Sequence, residues 1–201
     1  MLTFIEEPHS YKLRGIHIPG MSECLQASNI PDFSRVPHAT MEYAQQRGKA
    51  VHKGTELLDK GQLDWSTVDP VITGYVLAWE KFCAEYGVCH IEIEQRVYSE
   101  ILWCAGTPDR VSIVEKYNGD LTLIDIKSGE YESSGALQTA GYEIMRNERN
   151  KATKIQRRMI VKVNKDGTYG VAPEDYFKRS DYEDVKAIIR TYHVKKRLGV
   201  L

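Results

Sequence analysis

The spacing of apolar residues changes from a helical to a strand period near residue 89, and this change limits the folds open to the chain. Helical spacing predicts four helices, over residues 38–60, 69–86, 133–148 and 180–197. Alternation and short apolar runs predict five strands, over residues 89–98, 101–115, 121–127, 155–163 and 168–172. The order helix, helix, three strands, helix, two strands, helix predicts an α/β fold of α+β-like character. In such a fold a central mixed β-sheet is flanked by helices.

The length of 201 residues suits one ordinary core, so we expect a single domain over residues 1–201. Residues 1–37 look irregular or hairpin-like, with a turn at Gly15, and the core is expected over residues 38–172. Residues 173–201 are expected to form a C-terminal helical segment. No apolar run approaches the roughly 18–20 residues that span a bilayer, and the first residues lack a signal-peptide pattern. We therefore expect a cytoplasmic protein with no membrane partner.

The charged residues and cysteines narrow the class of protein. The formal net charge is −1, but basic residues are concentrated in residues 146–162 and in the last helix. A basic face beside an acidic pocket suits an enzyme that acts on a polyanion, although an ordinary solvated surface explains the pattern equally well. The four cysteines match neither a CxxC zinc pair nor a disulfide framework, so reduced thiols are expected. The six histidines form no closely spaced pair, which argues against a classical zinc site.

Two aspartates and a lysine fall on consecutive strands of a predicted hairpin. Asp109 follows the break at residues 106–108, and Asp125 lies near the end of the next strand, two residues before Lys127. Because side chains alternate along a strand, Asp125 and Lys127 point to the same face. Carboxylate oxygens in such a set bind Mg²⁺ or Mn²⁺, and a neighbouring lysine stabilises negative charge that grows on a phosphoryl group. The pattern predicts metal-assisted phosphodiester hydrolysis.

The D-x-K spacing alone is a weak signal, because Asp184-Val185-Lys186 repeats it on a predicted helix, where we interpret it as solvated charge. The alternative for residues 125–127 is an ion pair beside a capping aspartate. Three features favour the metal site: the apolar strand that the aspartate ends, the second aspartate on the adjacent strand, and the helix that follows. That helix carries Gln138 and Tyr142, which share one face at i and i+4.

Taken in order, these residues resemble the RecB-like exonuclease branch of the PD-(D/E)XK nuclease superfamily. The resemblance covers roughly residues 40–145 and is carried by Gly48-Lys-Ala-Val-His52, Gly106-Thr-Pro-Asp109-Arg-Val, Asp125-Ile-Lys127-Ser-Gly and Gln138-x-x-x-Tyr142. The opening Tyr11…Gly15-Ile-His-Ile-Pro19-Gly-Met-Ser looks like that of stand-alone, phage-encoded members. The resemblance implies a restriction-endonuclease-like core, a central mixed sheet between helices.

The resemblance also implies the roles of the matched residues. His52, Asp109 and Asp125 would ligate the metal together with the backbone carbonyl of Ile126. Lys127 would be the catalytic base or charge stabiliser, so Asp109, Asp125 and Lys127 are the expected catalytic residues. A lone histidine on a helix is more often a surface or satisfied histidine, so the role of His52 depends on the resemblance alone.

Further residues are expected to contact DNA or to assist the metal. By the resemblance, Gln138 and Tyr142 would contact the strand near the scissile phosphate. From the charge distribution, we expect the basic segment from Arg146 to hold the strand backbone. Glu56 lies one turn after the histidine and would orient a metal-bound water or simply pair with the lysine at i+4. Glu94 is a further acidic candidate, although strand alternation equally predicts that it faces solvent.

Together these features predict a Mg²⁺- or Mn²⁺-dependent deoxyribonuclease with one or two ions, and exonuclease action is favoured. DNA is the expected substrate in phage or bacterial recombination, repair or processing, with a single-strand annealing or single-strand-binding protein as a candidate partner. Members of the RecB-like branch that hold an iron–sulfur cluster have three cysteines after the core, whereas the last cysteine here, Cys104, precedes the catalytic lysine, so no such cluster is expected. No ATP motor is expected either, because no GxxxxGK[ST] motif occurs. The alternatives are a silent nucleic-acid-binding protein, a sequence-specific endonuclease, and a structural module with an ion-pair network.

Overall fold

A computed structural model describes residues 1–6, 10–130 and 134–201 of the chain. The strands in these residues are β1 (Leu2–Ile5), β2 (Ser10–Leu13), β3 (Ile16–Ile18), β4 (Val88–Ile93), β5 (Val97–Ser99), β6 (Cys104–Gly106), β7 (Arg110–Val114), β8 (Asp120–Lys127), β9 (Arg157–Val163) and β10 (Tyr169–Val171). The helices are α1 (Met21–Gln26), α2 (His38–Asp59), α3 (Pro70–Tyr86), α4 (Ser134–Arg149) and α5 (Asp181–Leu198). Within this described part, none of the helices is both long and apolar enough to cross a membrane. The cytoplasmic location stays a prediction.

A five-stranded sheet with the order β10-β9-β8-β7-β4 forms the centre of the molecule. β8 and β9 run parallel, and the other neighbouring pairs are antiparallel. β8 is an inner strand with helices on both faces, which explains why its sequence is an apolar run and not a strict alternation. The β7–β8 hairpin turns through Asn118 and Gly119, which both have positive φ, as their sequence predicts. The predicted α/β fold with a central mixed sheet flanked by helices is confirmed.

The helices divide between the two faces of this sheet. Trp79 of α3 packs in one apolar cluster with Ile124 and Ile126 of β8, and α2 contributes to the same cluster. Leu123, which alternates with these residues, packs in a second cluster with α4 and α5. Asp125 lies two residues after Leu123 and therefore faces α4. The end of β8 thus lies between α2 on one side and α4 on the other.

The first 37 residues differ from the predicted extension. The hairpin at Gly15 is present as β2 and β3, but β1 adds a third strand and α1 packs against α4 and α5. The approach of α1 is close, because a Cβ on Gly141 of α4 would lie 2.4 Å from the sulfur of Met21. The sequence did not predict α1, since six residues are too few to show a helical period. This segment is packed onto the core and forms one wall of the site described below.

Two predicted strands are each divided in the structure. Residues 89–98 form β4 and β5, which are separated where Glu94 adopts a φ of 51°. Residues 101–115 form β6 and β7, and β5 and β6 make a separate two-stranded ribbon. The predicted helix over residues 133–148 is α4, and its predicted first residue lies outside the described residues. The remaining predicted elements agree with the structure to within about two residues at each end.

Candidate metal centre

Asp109 joins three elements at one end of the central sheet. It immediately precedes β7, and its Oδ2 accepts a 2.7 Å hydrogen bond from the backbone N–H of Ile126 in β8. Its Oδ1 lies 3.1 Å from Nδ1 of His52 on α2. The structure therefore brings together the predicted aspartate and the predicted histidine, although 57 residues separate them in the sequence. The His52 side chain is about one-third exposed, so this end of the site is open to solvent.

Asp125 and Lys127 complete the predicted set on the α4 side. Lys127 Nζ lies 2.8 Å from Asp125 Oδ2, an ion-pair distance, but the ammonium is not aligned to donate a hydrogen bond to that oxygen. The Lys127 ammonium donates a 3.0 Å hydrogen bond to Gln138 Oε1 instead. Within the described residues, Asp125 Oδ2 is therefore a buried carboxylate oxygen without a hydrogen-bond donor. The Lys127 ammonium supplies the positive charge that this buried carboxylate needs.

Gln138 and Tyr142 lie side by side on α4, as their spacing predicts. Gln138 Nε2 donates a 2.9 Å hydrogen bond to the Tyr142 hydroxyl, while its Oε1 accepts from Lys127. The Tyr142 ring lies against the backbone of Gly106, where any Cβ would be 2.3 Å from a ring carbon. The glycine of the Gly-Thr-Pro-Asp motif is thus required by the packing of this tyrosine. The motif on α4 is tied to the lysine by a continuous chain of hydrogen bonds.

Glu94 also lies at the site, and the alternation of β4 did not predict this. A register shift between His90 and Glu92 and the positive φ of Glu94 turn its side chain away from that of Glu92. Ligand atoms of His52, Glu94 and Asp109 all lie within 4.8 Å of one another. Glu94 is thus placed where it could ligate a metal ion, and the solvent-facing alternative does not describe this structure.

The other accessory candidate, Glu56, is engaged by lysines. Its carboxylate lies 2.6 Å from Lys60 Nζ and 3.0 Å from Lys53 Nζ. The i+4 ion pair expected as the alternative is therefore present. Glu56 still lines the same cavity as His52 and Asp109, but it is not among the side chains whose ligand atoms cluster there.

The backbone of Ile126 places its carbonyl on the Asp109 side of β8. The β7–β8 ladder ends at the pair Arg110 and Ile124, so the backbone of Ile126 continues past the last pair. Its N–H points to Asp109, and the N–H and C=O of one strand residue point to the same side. This direction suits the backbone ligand that the family resemblance implies.

The charges at the site strongly perturb one another. Burial alone would lower the pKa of His52, but the Asp109 carboxylate raises it to about 8. Burial and the charge of Asp109 raise the pKa of Glu94 to about 7. Burial also raises the pKa of Asp125, and Asp109 adds to this effect against the opposing charge of Lys127. The pKa of Asp109 is lowered despite burial, mainly by His52 and Lys127. Three carboxylates thus share a small buried volume.

A hard divalent cation fits this donor set. Carboxylate oxygens, one imidazole and a carbonyl are ligands that Mg²⁺ and Mn²⁺ accept, with positions left for water. A cation beside Glu94 and Asp109 would relieve the crowding of their negative charges. The donors do not suit a thiolate-rich zinc or iron–sulfur site, since none of the cysteines is among them.

A second group with metal-ligand chemistry, Asp59, Cys83 and His90, is better explained as a buried charge network. The Asp59 carboxylate already accepts hydrogen bonds from Arg110 Nε at 2.5 Å and from Trp79 Nε1 at 2.9 Å, and His90 Nε2 lies 3.2 Å away. A cation there would have to displace the buried Arg110 guanidinium. We therefore do not assign a metal to this group.

Arg110 links that network to the metal centre, and the sequence did not indicate this role. Its side chain is fully buried, and its Nη1 donates to the carbonyl of Asp109 at 2.7 Å and to Glu94 at 3.1 Å. The guanidinium thus holds the backbone carbonyl of Asp109 and the side chain of Glu94 in position. The sequence does place an arginine inside an otherwise apolar strand, directly after the aspartate. A charge buried there needs a counter-ion, and this could have indicated a buried ion pair. Its partner Asp59 lies 51 residues away and could not be identified from spacing.

Arg146 does not lie where the predicted DNA contact requires it. It is 3% exposed, and its guanidinium contacts Glu92 at 2.8 Å and the carbonyl of Thr153. Other members of the basic segment are also held by acids, since Arg158 pairs with Asp181. The arginine therefore stabilises the packing of α4 against β4, and the structure does not bring it to the metal centre.

Two cavities meet at the metal centre. The larger, of about 880 Å³, extends over His52, Asp109 and Tyr142 towards β1 and β2. The smaller, of about 340 Å³, extends over Lys127 and the residues that follow β8. His52 and Gly48 line both cavities, while Asp109 lines the larger and Lys127 lines the smaller.

Neither the models of known protein families nor the curated proteins with which the chain was compared match its sequence.

Proposed function

We propose that this protein is a metal-dependent nuclease that hydrolyses DNA phosphodiester bonds. The observation that carries the proposal is that ligand atoms of His52, Glu94 and Asp109 lie within 4.8 Å of one another, with the Asp125–Lys127 ion pair on the adjoining strand. The ordered motifs in the sequence point to the same chemistry. The assignment to the RecB-like branch is part of this proposal.

His52, Asp109, Asp125 and the Ile126 carbonyl would hold one or two Mg²⁺ or Mn²⁺ ions, with Glu94 as an accessory ligand. A bound ion of this kind polarises a phosphoryl group and makes a bound water more acidic. Lys127 extends its ammonium between Asp125 and Gln138, at the edge of the smaller cavity. From there it can donate to a phosphoryl oxygen and stabilise the negative charge that develops during attack. Gln138 fixes the direction of the ammonium and is itself fixed by Tyr142.

The larger cavity supports a nucleic-acid strand as the substrate. Its far wall carries the partly buried ring of Phe4, with the Arg96 guanidinium 4.5 Å above it, and the Tyr11 ring behind it is buried. Lys49 adds a further positive charge to the same cavity. Aromatic faces and cations side by side are the elements with which proteins bind unpaired strands. Exonuclease action in phage or bacterial DNA recombination or repair, in the cytoplasm, is the context we propose.

The test is digestion of linear and circular DNA, single- and double-stranded, with Mg²⁺, Mn²⁺ or a chelator. We expect metal-dependent loss of linear DNA and protection of circles, as for an exonuclease. Cleavage of circles would indicate an endonuclease instead. DNA binding without cleavage in either metal would identify a silent binding protein and would refute the proposed activity.

A further inference from the structure

Among the residues that the structure describes, Arg47 of α2 has no acidic partner although it is partly buried. Its guanidinium lies 5.7 Å from the ring centroid of Tyr75 and 6.0 Å from that of Tyr43. Its Nε is buried and has no hydrogen-bond partner among the residues that the structure describes. In this part of the chain it is one of two such buried side-chain atoms, and the other is the Asp125 oxygen at the metal centre.

The other arginines that are not exposed each have a carboxylate partner. Arg110 pairs with Asp59 and Glu94, and Arg146 pairs with Glu92; Arg157 and Arg158 also pair with acids. For residues 1–6, 10–130 and 134–201, Arg47 is the exception. A partly buried guanidinium without a counter-ion is less stable than a paired one, so an anion at this position would compensate for it.

The surroundings of Arg47 are suited to an anion. It lines the smaller cavity together with Lys127 and Ser128, and a Cβ on Gly129 would lie 4.0 Å from its Nη2. The acidic residue on this wall, Glu130, lies 2.5 Å from Lys162 and is already paired. The cavity thus offers two cationic side chains and a hydroxyl, while its carboxylate is occupied elsewhere. The absence of a side chain on Gly129 leaves the guanidinium accessible from that side.

We propose that Arg47 binds a phosphate of the DNA strand next to the phosphate that is cut. The inference rests on the proposed nuclease function and assigns the smaller cavity to the strand backbone. A planar guanidinium can donate two parallel hydrogen bonds to a phosphate, and the ring of Tyr75 restricts its position beforehand. Because His52 and Lys127 line the same cavity, a phosphate on Arg47 would belong to the strand that lies across the metal centre.

The test measures binding of a fluorescein-labelled 20-nucleotide single strand by anisotropy at several NaCl concentrations, with Ca²⁺ added so that cleavage is slow. We expect Arg47→Gln to weaken binding about 10-fold or more and to reduce the slope of log K against log salt by about 0.7, the value for one contact with a single strand. Arg47→Lys should keep the slope and lose part of the affinity. Arg190→Gln, an exposed arginine on α5 outside both cavities, is the matched control and should change neither quantity.

A methylphosphonate scan then locates the contact, since neutralising the phosphate held by Arg47 should weaken binding to the wild type but not to Arg47→Gln. Thermal melts of both Arg47 variants show whether they are folded. Unchanged affinity and slope in folded Arg47→Gln, while the wild type cleaves the same strand with Mn²⁺, would overturn the role of Arg47 alone. If the wild type neither binds nor cleaves DNA, the proposed function fails, and the role of Arg47 fails with it.

Discussion

Asp109 Oδ2 accepts a 2.7 Å hydrogen bond from the backbone N–H of Ile126, and this bond ties the start of β7 to the end of β8. The second oxygen of Asp109 lies 3.1 Å from His52. One carboxylate oxygen thus binds the sheet backbone, and the other faces the candidate site. The orientation of the carboxylate is thus set by the backbone of β8. This kind of preorganisation keeps a metal ligand within a few tenths of an ångström of its working position.

Replacing Asp109 by Asn should weaken Mn²⁺ binding at least about 100-fold, because loss of even an outer-shell partner costs 10- to 100-fold. Isothermal titration calorimetry measures the affinity, and the rate of DNA hydrolysis should fall with it. Asp184→Asn, on the exposed face of α5, is the control that should bind Mn²⁺ like the wild type. Wild-type affinity in Asp109→Asn would show that the metal centre is wrongly assigned.

Lys127→Ala should reduce the rate of cleavage by about 100- to 1,000-fold, the loss seen when one preorganised donor to a developing charge is removed. The chain offers its own control, because Lys186 occupies the same D-x-K spacing but pairs with Glu183 at 2.8 Å on the surface of α5. Lys186→Ala should cleave at the wild-type rate. Equal rates for the two variants would mean that Lys127 has no catalytic role.

The sequence predicted those parts of the fold that depend on local signals. For α3, Asp69 caps the first turn through a 2.8 Å hydrogen bond from Val71 N–H, Pro70 opens the helix, and Gly87 ends it with a φ of 61°. These start and stop residues are visible in the sequence, and the predicted boundaries agree with the structure. The neighbouring positions of Asp109 and Asp125 were likewise predictable, because a short turn joins their strands.

Contacts between distant segments could not be predicted in the same way. The alternation of β4 gives no sign that Glu94 turns towards His52, since this depends on a shifted register and a positive φ. Arg146 was expected to contact DNA because it starts a basic segment, but the packing of α4 places it in an ion pair with Glu92. A charge pattern specifies which residues are basic, and only tertiary packing decides which of them remain free to bind a ligand.

Gly106→Ala should destabilise the protein by about 1–3 kcal/mol, the usual cost of overpacking, because the new Cβ would lie 2.3 Å from the Tyr142 ring. The displaced ring should also release Gln138, so cleavage should slow.

Gly48→Ala is expected to have the opposite effect on stability. Gly48 lies inside α2, and the nearest atom to a Cβ there would be 3.9 Å away. That change should stabilise the protein by up to about 1 kcal/mol. Urea unfolding measures both, and equal effects of the two changes would contradict the packing argument.

Asp59 should make stability depend on pH in the acid range. Burial alone would raise its pKa, but the hydrogen bond with His90 and the charge of Arg110 hold the pKa below its ordinary value. Since the pKa of an unfolded aspartate is about 3.9, the stabilisation is fully present above about pH 5. It is lost as the pH falls through the lower pKa of the folded state.

In Asp59→Asn this dependence should disappear, and at pH 7 the variant should be less stable by about 3–5 kcal/mol, because the buried Arg110 guanidinium loses a counter-ion. Urea unfolding at intervals between pH 3 and pH 7 measures both effects. The two proteins should therefore become more alike in stability as the medium is acidified. Parallel curves of stability against pH, with a constant difference, would show that this network does not lower the pKa of Asp59. Cleavage should fall in the variant at pH 7 as well, because Arg110 holds Glu94 and the carbonyl of Asp109 in place.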